Sequence, residues 1–288
     1  MDMKGTTRVC GLIGNPVGHS ISPVIHNTLA DITKTNMVYT TFKVDKEDVA
    51  KAVEGAYALD ILGLNVTVPH KQSVMDVLAD IDPLAKAIGA VNTLVRKDGG
   101  YKGYNTDILG LKRELEDESI SLCGNNCIIL GAGGAARAIC SSLAYRGAAK
   151  IIVSSLFDWE SEQLVQNINA NFAPVASMIP WGEQQALLHA AEPADMIINA
   201  TGVGMGAHVG ESPVDKAIFR PGMVAFDAAY NPSVTKFLAD AADCGCTTFN
   251  GLGMLLYQGT AQFELWTGTQ APVDLMRQTL EESIGSKA

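Results

Sequence analysis

The feature that most restricts this 288-residue chain is a junction near its middle, where an apolar run meets a cluster of the smallest residues. Cys127-Ile128-Ile129-Leu130 reads as a strand buried on both faces, Gly131-Ala132-Gly133-Gly134 as a tight turn, and Ala135 to Tyr145 as a helix. Gly131 permits the sharp turn, Gly133 lets the backbone approach a pyrophosphate, and Ala136 lets the helix pack on the strand. The first turn of such a helix offers unbonded N–H groups and the positive end of its dipole to an anion. A merely structural glycine turn is the competing reading, and the flanking pattern argues against it. Ile151 to Val153, Met196 to Asn199 and Met223 to Asp227 are further buried runs, and Thr247 to Asn250 reads as an edge strand. The expected unit is a Rossmann-type dinucleotide-binding domain, with Gly131, Ala132, Gly133, Gly134 and Ala135 at the phosphates.

Ser155 and Asp158 follow the second strand of this pattern. Asp158 stands 22 positions past Ala136, about where a carboxylate accepts both hydroxyls of an NAD ribose. A 2′-phosphate calls for an arginine instead, and Leu156 cannot supply one. NAD is therefore the expected cofactor, with NADP the alternative. The competing reading makes Asp158 a cap for the helix from Trp159 onward.

The remaining chain alternates strands and helices. Val9 to Ile13, Met37 to Val44 and Gly63 to Val68 read as strands. Ser22-Pro23 opens a helix, Asp45 is placed to cap one over Lys46 to Tyr57, and Gln72 to Ile81 also reads as helix. Asp82-Pro83 starts another. Ala90 to Arg96 and Gly100 to Tyr104 flank a hairpin turn at Asp98-Gly99-Gly100. Ile108 to Glu118 reads as a linking helix, and Gly253 to Trp266 and Val273 to Glu282 as C-terminal helices. The fold class is α/β with two domains.

Composition excludes several functions. Hydrophobic residues make up 47% and charged residues 18%, enough apolar surface to bury a core. The net charge of -10, with no basic stripe, argues against a nucleic-acid partner. No apolar run reaches the ~18 residues of a membrane span, and no apolar leader follows Met1. Reduced cysteines in the cytoplasm are the default reading for Cys10, Cys123, Cys127, Cys140, Cys244 and Cys246. The Cys123/Cys127 and Cys244/Cys246 spacings invite a zinc site, but no histidine pair has ligand spacing, so no metal is expected. A monomer or homodimer fits equally.

Three polar clusters sit at the ends of the N-terminal strands: Gly18-His19-Ser20-Ile21-Ser22-Pro23, Asn65 to Lys71, and Gly103 to Asp107. Open sheets bind ligands outside the carboxyl ends of their strands. Ser20 and Ser22 offer two hydroxyls at a helix start, suited to a carboxylate or, equally, to helix capping. Singly, Lys71 reads as a surface lysine and Asp107 as an N-cap.

Together these segments resemble the shikimate dehydrogenase family. The matching motifs are Gly14 to Pro23, Asn65 to Lys71, Gly89 to Leu94, Tyr104 to Asp107, Gly131 to Arg137, Asn199-Ala200-Thr201, Tyr230-Asn231-Pro232 and Gly251 to Leu255. The run Met254 to Trp266 is most similar to the quinate/shikimate dehydrogenase branch, which tends toward NAD. One departure is that Ser155-Leu156-Phe157 stands where NADP-dependent relatives carry Asn-Arg-Thr, and Asp158 where the dual-substrate branch has aspartate.

The resemblance implies reversible hydride transfer between a nicotinamide cofactor and the ring carbon of shikimate or quinate. It implies a substrate domain with a mixed, mostly parallel sheet over 1–108 and 252–288, and a nucleotide domain over 109–251. Ser20, Ser22 and Tyr39 would hold the substrate carboxylate. Asn65, Thr67, Asn92 and Gln258 would read the ring hydroxyls, with Tyr230 also at the substrate. Lys71 and Asp107 would meet the reacting oxygen, Lys71 as general acid/base or as electrostatic clamp. Thr201, Gly204, Met205, Gly251 and Gly253 would join the cofactor site. The alternative from another class is a ligand-sensing regulator that keeps the pocket without the chemistry.

Overall fold

Residues 3–285 are described by a computed structural model. The chain divides into two compact units, Met1–Gly110 with Leu256–Ser283, and Leu111–Leu255.

In the first unit the β-rich segments form β1 (Arg8–Gly14), β2 (Met37–Lys43), β3 (Gly63–Val66), β4 (Asp80–Ile81), β5 (Thr93–Lys97) and β6 (Gly100–Tyr104). Their order is β2-β1-β3-β5-β6-β4. β1 runs parallel to β2 and β3, whereas β5 is antiparallel to both β3 and β6. This mixed register brings the C-termini of β1, β3 and β6 and the N-terminus of β5 to one edge of the sheet. The helices are α1 (Ser22–Ile32), α2 (Val49–Ala58) and α3 (Pro83–Ile88). Asp82 caps α3 by accepting from Leu84 N and Ala85 N, and Gly89 ends it at φ 72. Val49, Val53 and Ala56 of α2 close one face of the sheet over Ile13, Leu64, Val66 and Leu94. Trp266 packs so tightly on β3 that a Cβ at Gly63 would lie 2.1 Å from its indole nitrogen, which donates to Leu94 O.

Two local expectations are corrected here. Asp45 does not cap a helix over Lys46 to Tyr57. Its carboxylate accepts from Asn15 Nδ2 at 2.7 Å, and the segment starts as a 3-10 turn, Lys46–Asp48, before α2. Gln72 to Ile81 is a 3-10 turn, Ser73–Val77, followed by β4. Pairing of β4 with β6, reinforced by the Lys102–Asp80 ion pair at 3.0 Å, overrides the local helical pattern.

The second unit contains β7 (Asn126–Leu130), β8 (Lys150–Ser154), β9 (Ala176–Met178), β10 (Met196–Asn199), β11 (Val224–Asp227) and β12 (Thr247–Asn250). All neighbours are parallel, in the order β12-β11-β10-β7-β8-β9. Read from the other edge this is the 3-2-1-4-5-6 order of a Rossmann sheet, with its reversal between β7 and β10. The helices are α4 (Asp107–Asp117), α5 (Gly134–Tyr145), α6 (Asp158–Asn171), α7 (Gln184–Ala191), α8 (Lys236–Asp243) and the start of α9 (Leu252–Thr267); the rest of α9 and most of α10 (Val273–Gly285) belong to the first unit. The unit boundaries fall inside α4 and α9. Strand alternation splits the core: Cys127 and Ile129 join Ile139, Leu143 and Leu164 on one face, and Ile128 and Leu130 join Ile197, Phe237 and Leu238 on the other. Among the described residues no helix is long and apolar enough to cross a membrane, and no three His, Cys, Asp or Glu side chains gather as a metal would require.

Candidate active site

The shared edge of the first sheet gathers most of the residues singled out from the sequence. β3 ends beside Asn65, β5 is preceded by Asn92, and β6 leads into Asn105-Thr106-Asp107 at the start of α4. Lys71 Nζ donates to Asp107 Oδ2 at 2.7 Å, and the two side chains retain 18% and 10% exposure. That is dry enough to strengthen the pair and open enough to admit a ligand. Asp107 N donates to Asn105 Oδ1, which sets the carboxylate at the helix start. Beside Lys71, His70 is fully buried and donates from Nε2 to Val44 O at 2.8 Å, so it anchors the loop rather than facing a ligand.

Around this pair the hydrogen bonds fix amide orientations. Asn92 Oδ1 accepts from Thr93 Oγ1, Thr106 N and Thr106 Oγ1, which fixes the orientation of its amide. Tyr39 Oη donates to Asn65 Oδ1 at 2.6 Å, and Asn65 Nδ2 reaches Asn92 O. Tyr39 therefore orients Asn65, and in this arrangement its own proton is already committed. Burial pushes the Tyr39 phenol up, with Ser22 close enough to oppose the rise. Ser20 Oγ donates to Ser22 Oγ at 3.1 Å and accepts from Ser22 N. The N-cap of α1 is Ile21, which makes no side-chain cap, so neither serine caps the helix in the ordinary way. Thr67 lies against Gly14, where a Cβ would approach its methyl to 2.4 Å.

Sequence reasoning missed two residues behind this layer. Gln262, 2% exposed, donates from Nε2 to Thr106 Oγ1 at 2.9 Å and to Gln258 Oε1. It thereby turns the amide of Gln258 and steadies the segment before Asp107. Its signal was the glutamine pair at i, i+4 on an apolar helix. His26 is fully buried, stacked on Tyr39 with centroids 4.4 Å apart and tilted against Trp266 at 5.0 Å. Burial lowers its pKa to about 3, while Gln262 and Asn65 oppose the fall. It is an uncharged support for the donors in front of it.

In the second unit Gly131 has φ +104, and a Cβ there would lie 2.8 Å from Ala200 O, so the turn after β7 and the loop after β10 demand glycine. Gly133 is different. Its φ is -71, and an added Cβ would meet nothing. Glycine there serves no internal packing, as expected where a ligand comes close. α5 has no side-chain cap and no acidic residue in its first turn, which leaves donors for an anion. The N–H groups of Gly134 and Ala135 stand at this turn beside buried Ala132. The donor set and the open space fit a pyrophosphate.

After β8, Ser155 is buried and turns its hydroxyl inward, donating to Phe157 O and pairing with Ser161 Oγ. Asp158 is exposed as the first residue of α6, and its Oδ1 accepts from Trp181 N at 3.4 Å. Beside Trp181 opens a cavity of about 410 Å³ lined by Ser154, Glu183, Leu188, Pro213 and Val214. Thr201 donates to Asn199 Oδ1, Gly204 adopts φ +100 against Thr235, and Met205 is exposed. Gly251 and Gly253 have packing reasons: a Cβ would strike Ala228 O at 2.2 Å in the first and the Glu114 carboxylate in the second. Tyr230 is half-buried in the loop after β11, where burial raises its pKa.

Comparison with known proteins adds independent findings. Residues 12–94 match the family model described as shikimate dehydrogenase substrate binding domain, and residues 251–281 the one described as shikimate 5'-dehydrogenase C-terminal domain. A shikimate dehydrogenase (NADP(+)) of Moorella thermoacetica is 41% identical over 288 residues, covering 100% of this chain and 97% of its own. The crystal structure of shikimate 5-dehydrogenase from Listeria monocytogenes, in complex with shikimate and NAD, superposes with a TM-score of 0.91 at 34% identity, covering 97% of this chain and 98% of that one. Quinate dehydrogenase from Corynebacterium glutamicum, in complex with NAD, has a TM-score of 0.88 at 29% identity, covering 96% and 99%.

Proposed function

The chain belongs to the shikimate dehydrogenase family, and from that premise we propose that it interconverts shikimate and its 3-keto acid using a nicotinamide dinucleotide. The observation that carries this reading is the Lys71–Asp107 pair at 2.7 Å, set among oriented amides and hydroxyls at one sheet edge. The relatives that the chain matches are named as dehydrogenases, which favours an enzyme over a regulator that only senses the acid.

The bound dinucleotide supplies or takes the hydride. The protein's part is position and charge. Ser20 and Ser22 donate to the substrate carboxylate, an anion that the net charge of -10 would otherwise repel. Asn65, Thr67, Asn92 and Gln258 fix the ring through its hydroxyls. Lys71 Nζ stands at the reacting oxygen: in reduction it steadies the developing alkoxide and delivers the proton, and in oxidation it receives that proton. Asp107 holds the ammonium in place. The substrate half is 1–108 with 252–288, and the nucleotide half is 109–251.

For the coenzyme we favour NAD. The carboxylate of Asp158 suits a ribose diol, Leu156 offers no cation to a 2′-phosphate, and the cavity beside Trp181 has room for an adenine. The relatives named for NADP(+) make this the sharpest point to test. Quinate is a second substrate reading, favoured by the C-terminal run and the Corynebacterium relative. Six free cysteines suit a reducing cytoplasm. Initial rates with NAD or NADP against shikimate or quinate decide activity, substrate and coenzyme. The expected result is turnover of shikimate, with NAD ahead by roughly 5- to 150-fold in kcat/KM. A preference for NADP removes the coenzyme reading alone; no turnover with any pair removes the function.

A further inference from the structure

The C-terminal ends of β10 and β11 meet at two fully buried polar side chains that the reaction does not use, Asn199 and Asp227, paired in the sheet register. Asp227 Oδ1 accepts from Ala229 N at 2.9 Å, and Oδ2 accepts from Asn199 Nδ2 at 3.1 Å and Thr235 Oγ1 at 2.6 Å. Asn199 Nδ2 also donates to Val203 O, while its Oδ1 accepts from Thr201 N and Thr201 Oγ1. Thr201 Oγ1 in turn accepts from Val203 N. Gly204 packs over Thr235, where a Cβ would come within 3.3 Å. Two loops, 200–205 and 228–235, therefore hang on one carboxylate.

None of these partners is a cation, and burial pushes the Asp227 carboxyl up while the three donors oppose it. A fold that needed only filling there would place an uncharged side chain. Asparagine in its stead would turn an NH2 toward groups that are already donors. What the carboxylate provides is convergence: both of its oxygens accept, one from Ala229 N in the loop after β11 and the other from Asn199 Nδ2 at the end of β10 and from Thr235 Oγ1. In a doubly wound sheet the first half takes the adenosine and the second half, here β10 to β12, the other nucleotide.

We propose that Asp227 is a positioning residue that presets the loops after β10 and β11 to seat the nicotinamide end of the coenzyme, a role that presupposes the dinucleotide reading. The adenosine end, held from β7 and β8, is independent of it.

The test uses the intact protein with Asp227→Asn, Thr235→Val and the conservative Thr235→Ser. Tryptophan fluorescence gives the Kd of the better dinucleotide and of the matching ADP-ribose fragment that lacks nicotinamide; melting and steady-state kinetics accompany it. Asp227→Asn and Thr235→Val should leave fragment affinity within about twofold and abolish the dinucleotide's advantage over the fragment. They should lower kcat about tenfold or more with little change in KM for the acid. Thr235→Ser should behave as wild type. Equal losses of fragment and dinucleotide binding, or no loss in either, overturn the proposal. If Asp227→Asn does not fold, Thr235→Val decides alone. A wild type that binds neither dinucleotide overturns the parent reading, and this one with it.

Discussion

Lys71 and Asp107 are 36 residues apart in sequence and share one ion pair. Because both keep some contact with solvent, loss of the ammonium should be felt in chemistry more than in folding. Lys71→Ala is expected to lower kcat by about 10²-fold or more, the scale of losing an acid/base or an oxyanion partner. Nicotinamide absorbance gives the rate, and a circular-dichroism melt confirms that the variant is folded. A wild-type kcat would remove Lys71 from the reaction. Ser22 makes a cleaner case, since it does not cap α1. Ser22→Ala should raise KM for the acid by about tenfold, as for a hydrogen bond to a charged group, and leave the melting temperature almost unmoved. A large drop in melting temperature with KM constant would make the hydroxyl structural.

At the scale of elements, the turn after β7 separates two kinds of glycine. Gly133→Ala adds a methyl into open space and should leave stability nearly intact while weakening the coenzyme by about tenfold, because the pyrophosphate loses its approach. Gly251→Ala drives a Cβ into the Ala228 carbonyl and should cost about 1–3 kcal/mol by denaturant unfolding. If Gly133→Ala binds dinucleotide normally, the phosphate is elsewhere. The turn after β8 carries the coenzyme choice. Asp158→Ala should weaken NAD and narrow its lead over NADP, and adding Leu156→Arg should favour NADP further; titration of both dinucleotides checks the pair. The two turns also show what a sequence discloses. The β7 turn was legible because strand period, glycine chemistry and helix start are all local. The segment 72–81 was not, since its last residues take their form from β6. Short β9, α7 and α8 gave no distinct signal either. Lys71 and Asp107 were ordinary residues until their motifs were read together. The link from Gln262 to Thr106, 156 residues away, and the role of Asp227 became visible only through partners that folding supplies.

Over the whole molecule, His26 makes stability a function of pH. Its pKa of about 3 in the fold lies below the ordinary 6.5, so between these values the unfolded chain binds a proton that the folded one refuses. Its contribution is complete above about pH 6.5 and is lost as pH falls toward 3. At pH 5 the loss should be about 2 kcal/mol relative to pH 7. Urea titrations at the two pH values measure it, and His26→Phe, which keeps a ring against Tyr39 and Trp266, should remove about one proton's worth of the slope. An unchanged slope would assign the acid sensitivity to other groups.

The indole of Trp266, bonded to Leu94 O across 172 residues and pressed on Gly63, ties the first sheet to a distant stretch of the chain. Residues 111–255 form a sheet with its own two-faced core. The sheet that carries Lys71 takes Trp266, Gln258 and Gln262 from residues 256–283, on the far side of that unit in sequence. The unit proposed to hold the acid is therefore drawn, in sequence, from both sides of the one proposed to hold the nucleotide.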